Sequence, residues 1–141
     1  MVFGTFDNLH PGHLNYFWQA RRFGAKGIEL DNVELIIIVA RDKNVLQIKG
    51  KLPHQKERIR VAKVREALRL ANWSGRAVLG SPSNQWLVLK KYQPQIVALG
   101  YDQRTDIKKL KEVLAGAGLF CKIKRLKSYH PEKYKSSYCR G

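Results

Sequence analysis

Val2-Phe3-Gly4-Thr5-Phe6-Asp7-Asn8-Leu9-His10-Pro11-Gly12-His13 is the stretch that decides how this chain folds. Val2 to Gly4 reads as the end of a strand. Thr5 to Pro11 reads as a turn, and Pro11 suits a helix entry because its missing N–H is not needed there. From His13 onward, Leu14, Phe17 and Trp18 recur at three and four residues, the spacing of a helix. Gly24 and Gly27 bracket its end.

The same alternation continues downstream. Val33 to Ala40 is a nearly continuous β-branched apolar run, the signature of a strand buried on both faces of a parallel sheet. Arg41 to Pro53 reads as a basic loop with some helical content. Gln55 to Ala71 reads as a helix with Val61, Val64, Leu68 and Ala71 striping one face. Ala77 to Leu79 is a short strand, Asn84 to Tyr92 a short helix, and Ile96 to Leu99 a strand closed by Gly100. Asp106 to Ala117 is a helix with Ile107, Leu110, Val113 and Leu114 inward, and Phe120 to Leu126 a final strand. Strands alternating with helices predict an open parallel sheet of five strands covered on both faces. With no internal linker or repeat, residues 1–141 are expected to form one domain.

In such sheets a ligand sits beyond the carboxyl ends of the strands. The segments at those ends are therefore informative. They are Gly4-Thr5-Phe6-Asp7 with His10-Pro11-Gly12-His13, Arg41-Asp42 with Lys49-Gly50-Lys51, Gly100-Tyr101-Asp102-Gln103, and Ser136-Ser137. Gly4 lets backbone approach a ligand closely. Gly12 lies at a helix start, where N–H groups and the helix dipole favour phosphate. His10 and His13 stand at the same mouth. An imidazole there can donate to phosphate oxygens or, protonated, offset charge growing in a transition state.

Composition narrows the partners. The net charge is +16 with a pI near 10.2, a field that draws in polyanions. Nucleoside triphosphates and nucleic acid both qualify. Arg58, Arg60, Lys63, Arg65 and Arg69 read as one solvated helical surface. Cys121 and Cys139 form neither a CxxC nor a zinc pattern, and a disulfide framework is not expected. No apolar run is long enough to span a bilayer, and no signal-peptide pattern opens the sequence. A cytoplasmic protein with no membrane partner is the expectation. Trp18, Trp73 and Trp86 read as packing residues.

Gly4-Thr5-Phe6-Asp7-Asn8-Leu9-His10-Pro11-Gly12-His13 resembles the GTFDxxHxGH motif of the cytidylyltransferase-like nucleotidyltransferases, which have a Rossmann-like fold. Ala40-Arg41-Asp42, Lys49-Gly50-Lys51-Leu52-Pro53, Glu57-Arg58, Leu79-Gly80 and Ala98 to Gln103 resemble the archaeal-type FAD synthases in the same order. Lys135-Ser136-Ser137 is similar to their closing serine pair. The resemblance covers nearly the whole chain. It implies that His10 and His13 contact the triphosphate and steady the α-phosphorus, and that Lys49 or Lys51 grips a phosphate, Lys49 being favoured. It further implies that Gly4, Thr5, Phe6, Asp7, Arg58, Gly100, Asp102 and Gln103 line the nucleotide site, and that Ser136 and Ser137 hold the β- and γ-phosphates. The reaction implied is AMP transfer from ATP to FMN, with Mg²⁺ accompanying the ATP and no metal ligands assigned. Two alternatives stand beside it: CMP transfer from CTP to a phosphoalcohol such as glycerol 3-phosphate, and a nucleic-acid-binding protein on a retired transferase fold. The dimer motif of the glycerol-3-phosphate cytidylyltransferases is replaced near Leu70 to Gly75, so their dimer is not carried over and a homodimer is left open.

Overall fold

A computed structural model describes residues 1–101, 103 and 106–128. Asp102, Ser136 and Ser137 lie outside the described residues.

The chain runs β1 (Val2–Gly4), α1 (Pro11–Gly24), β2 (Leu35–Val39), α2 (Asp42–Lys49), α3 (Glu57–Ala71), β3 (Gly75–Leu79), α4 (Leu87–Tyr92), β4 (Ile96–Leu99), α5 (Ile107–Gly116) and β5 (Lys122–Arg125). The strands form one sheet in the order β3-β2-β1-β4-β5, and every pair is parallel. The order reverses direction at β1: the chain builds outward through β2 and β3, then returns to lay β4 on the other side. The switch point predicted to hold a ligand thus lies beyond Gly4 and Leu99.

Alternation along the strands divides the core in two. Leu35, Ile37 and Val39 of β2 join Phe17 and Ala20 of α1 and Val61, Val64 and Leu68 of α3 on one face. Ile38 joins Val88 and Leu89 of α4 and Leu110 and Leu114 of α5 on the other. β2 is buried on both faces, as its unbroken apolar run requires. Ile107 and Val113 pack against the second cluster, while Ala71 is exposed.

The structure departs from three sequence expectations. The helical content expected in the basic loop of residues 41–53 is a full helix over 42–49, closed by Gly50 in the left-handed conformation (φ 75°). Leu14 and Trp18 face outward rather than into the core; Trp18 is 42% exposed. Trp73 and Trp86 do pack against the two clusters. Arg60 is not part of a solvated surface but fully buried, for reasons that belong to the site.

Candidate active site

The loop from β1 into α1 is held from several sides. Its conformation needs left-handed backbone at Phe6 (φ 53°) and Asn8 (φ 50°), which L residues adopt only when surroundings enforce it. Two clasps supply that enforcement. The Asp7 carboxylate, almost wholly buried, accepts from the backbone N–H of His54 (2.6 Å) and of Gln55 (2.8 Å). Asn8 N–H donates to Gln55 Oε1 at 3.2 Å, and its amide meets His54 Nδ1 at 3.0 Å. Phe6 folds inward. Its ring meets Phe17 and His13 edge-on, at centroid distances of 5.0 and 5.5 Å. That ring also explains Gly4: a Cβ there would come within 2.6 Å of Phe6 Cζ. Gly4 thus makes room for Phe6. Phe6 and Asp7 likewise shape the loop from beneath.

α1 begins on a capping box made by two histidines. Gly12 N–H donates to His10 Nδ1 at 3.1 Å, and His10 N–H donates to His13 Nδ1 at 3.3 Å. The Gly12 N–H is therefore used by His10. The two imidazoles stack with centroids 3.8 Å apart and planes 21° from parallel. Both Nδ1 atoms are acceptors, so each neutral ring carries its hydrogen on Nε2. Burial holds both rings neutral. His13 is pushed down to about 3, by desolvation first and by the neighbouring His10 second, with Asp7 opposing. His10 is lowered by desolvation. In the unliganded protein these are neutral N–H donors rather than the cations that one sequence reading allowed.

Lys49, on the last turn of α2, brings Nζ to within 3.4 Å of Thr5 Oγ1. Lys51 is exposed beyond Gly50. The fold thus separates the two lysines: Lys49 reaches the β1–α1 loop. What holds α2 in place is a set of residues that sequence reading placed in motifs without recognising their job. Asp42 N–H donates to Glu57 Oε1 at 3.1 Å, and Glu57 N–H donates to Asp42 Oδ2 at 3.2 Å, so the first residues of α2 and α3 cap each other. Arg41 bonds Glu57 at 3.0 Å and the carbonyl of Gly80 at 2.8 Å. Buried Arg60 donates to Asp42 Oδ1 at 2.6 Å, to Thr5 O at 2.7 Å and to Gln55 O at 3.0 Å. One guanidinium therefore links the β1–α1 loop, the start of α2 and the entry to α3. The signal was in the spacing: Arg60 lies four residues before Val64 and eight before Leu68, on the inward stripe. Arg58 is exposed on the first turn of α3.

The other side of the switch point is stapled as well. Gln103 donates to Phe3 O at 2.6 Å and accepts from Gly100 N–H at 2.8 Å. Tyr16 of α1 donates to Ala98 O at 2.9 Å. Arg125 donates to the carbonyls of Gly100 (2.9 Å) and Gln103 (2.6 Å). Gln103 and Gly100 form the floor of the β4 loop, with the Gln103 side chain bonded to backbone and to the Tyr16 hydroxyl (3.4 Å).

Among the described residues, no group of three His, Cys, Asp or Glu side chains is placed to hold a metal. No helix among them is long and apolar enough to cross a membrane. Two surface grooves lie elsewhere, one lined by Arg65, Arg69, Trp73 and Arg76 and one at the end of α1.

A histidine pair at the start of α1, over the switch point of a parallel sheet and faced by a lysine, is the arrangement of a nucleotidyltransferase. The chain belongs to the cytidylyltransferase-like family, whose model matches residues 1–141. It is similar to the FAD synthase of Archaeoglobus profundus, 37% identical over 134 residues, covering 95% of this chain and 77% of that one. It is also similar to the FAD synthase of Methanohalophilus mahii, 39% identical over 127 residues, covering 90% and 80%. Among solved structures it resembles the lipopolysaccharide core biosynthesis protein from Thermoplasma volcanium, with a TM-score of 0.75 and 31% identity over 92% of this chain and 95% of that one.

Proposed function

We infer that this chain transfers AMP from ATP to FMN, giving FAD and pyrophosphate. The observation that carries the reading is its likeness to FAD synthases over most of both chains. The site is built for the chemistry this requires. A phosphate oxygen of FMN attacks the α-phosphorus of ATP, the bond from that phosphorus to the oxygen bridging it to the β-phosphate breaks, and pyrophosphate leaves. The nucleophile is already an anion, so no general base is needed. The protein must align two polyanions and stabilise the charge shared among the phosphoryl oxygens.

His10 and His13 are assigned to the triphosphate as Nε2–H donors. Because burial has already removed their water, their dipoles need little reorganisation as charge develops. Lys49 is assigned to the phosphates as a point charge beside Thr5. Arg60, Asp7 and Gln103 act as positioning residues: they hold the loops that present these groups. Arg58 and Lys51 supply exposed positive charge near the entry to α3. Asp102, Ser136 and Ser137 keep the sugar and phosphate roles that the resemblance implies. Mg²⁺ is expected to accompany ATP, as the resemblance implies.

The test is pyrophosphate release with each nucleoside triphosphate in turn, using FMN or glycerol 3-phosphate as acceptor and Mg²⁺ present. Release with ATP and FMN, together with FAD, is the expected outcome. Release confined to CTP and the phosphoalcohol would overturn it.

A further inference from the structure

The outer face of α1 and the neighbouring edge strand β5 carry a feature that nucleotidyl transfer does not use. Trp18, Arg22 and Lys26 follow one another along the exposed side of α1 and just past its end. Lys122 and Lys124 lie on one face of β5, and Lys127 comes shortly after it. The two rows are laced together. The Gln19 amide donates to Lys127 O and accepts from Lys127 N–H, both at 2.9 Å. Lys124 Nζ sits 5.2 Å from the centre of the Phe23 ring. Arg22 lies 4.8 Å over the Trp18 ring.

Arg21, Arg41, Arg60, Arg69 and Arg76 each pair with a carboxylate. Among the described residues, Arg22, Lys26, Lys122, Lys124 and Lys127 do not. The groove of about 540 Å³ at the end of α1, lined in part by Arg22, Phe23 and Lys26, contains one acid, Glu29. Rows of cations interleaved with aromatic rings are the composition that takes single-stranded nucleic acid: phosphates by charge, bases by stacking on ring faces and on guanidinium planes. An anionic membrane would answer to the charge, but it offers nothing to stack on the Trp18 ring and the Arg22 guanidinium as bases do, and the vesicle arm of the test separates the two. A small phosphorylated metabolite would not need two rows.

We propose that the α1–β5 face binds single-stranded RNA, at a site separate from the nucleotide site. Trp18, Phe23, Arg22 and Lys124 form its centre, and Lys26, Lys122 and Lys127 extend it. The face runs along the flank of α1, whereas His10 and His13 stand at that helix's start.

The experiment is fluorescence anisotropy of a short labelled oligouridylate with the full chain, at low and at physiological salt. Binding should weaken steeply with salt. The double variant R22E/K124E should bind at least ~10-fold more weakly. K108E/K111E, the same charge change on exposed positions of α5, should stay within about twofold. FAD formation by R22E/K124E should match that of the parent, which also shows that it folds. Trp18→Ala should lose stacking, on the order of tenfold. Equal weakening in both double variants would reduce the effect to total charge and overturn the proposal. Displacement by saturating ATP, or loss in Lys49→Ala, would place the oligonucleotide in the nucleotide site and overturn it too. So would tighter capture by phosphatidylserine vesicles than by RNA, or no binding at low salt. Absence of FAD formation in the parent would count only against the transferase reading.

Discussion

His13 serves three purposes with one ring: Nδ1 caps the start of α1, the ring edge packs on Phe6, and Nε2–H is a donor. Replacing it with alanine is expected to reduce turnover by ~100-fold or more, while costing about 1 kcal/mol of stability through the lost cap. A kinetic assay beside a urea melt would separate the two effects. The neutral state of the ring sets a pH signature. Unfolded, the imidazole titrates near its ordinary 6.5; folded, near about 3. Between those values the unfolded chain binds a proton that the folded chain refuses, so stability falls as pH drops from about 6.5 towards 3. The slope approaches ~1.4 kcal/mol per pH unit for one such group. Melts at stepped pH should show it, and His13→Ala should flatten the curve. The histidines were legible in sequence because their spacing after a glycine-led turn has few other uses. The supporting contacts of Gly4, Phe6 and Asp7 were not, because a motif marks residues that matter without saying which of them also shape the loop. Arg60 was misread because a charged residue is assumed to be solvated unless its helical phase is checked against its neighbours.

At the scale of elements, α2 is the helix that a reading of periodicity blurred. It is eight residues long and buries Val45, too little apolar surface to give a clear period. Its stability comes from its ends: Gly50 closes it, and Glu57 caps its start from another helix. Such a cap depends on tertiary structure, which local sequence does not display. Arg60→Met is expected to cost about 3 kcal/mol, because Asp42 and two carbonyls lose their partner in a buried setting. If α2 is held for the sake of Lys49, that variant should also raise the KM for ATP more than the KM for FMN. The comparison with Lys49→Ala, which should raise the same constant without the stability loss, checks the coupling. Gly75 opens β3 at φ 152°, and a Cβ there would come within 2.1 Å of Leu35 O. Gly75→Ala should therefore disturb the β2–β3 pairing and lower the melting temperature by several degrees, read by circular dichroism, with little effect on substrate affinity.

The whole molecule was the most legible level. Five strands alternating with helices, and an apolar run too uniform for an exposed strand, left few arrangements besides a parallel sheet with a switch point. Strand order itself depends on long-range pairing that no local pattern states. Net charge belongs at this scale as well. With +16 on a small domain, the KM for ATP and for FMN should both rise with ionic strength, as screening weakens the attraction between the protein and two anions. Initial rates at graded salt would show it, and a flat response would mean that local contacts alone hold the substrates.

The central strand β1 has only three residues, yet the two halves of the sheet meet along it. Its pairing with β4 joins Val2 to Ala98, far apart along the chain. Contacts of such separation form late in folding, because a long loop must close before they are rewarded. The seam should be the last part of the protein to assemble and the first to part. Tyr16 and Gln103, each spanning it with a side chain, act as its fasteners. Nucleotide bound beyond Gly4 and Leu99 would bridge the same seam. Amide hydrogen exchange at Ala98 and Gly100 should therefore slow when ATP is added, so that the substrate becomes a structural element of the fold that receives it.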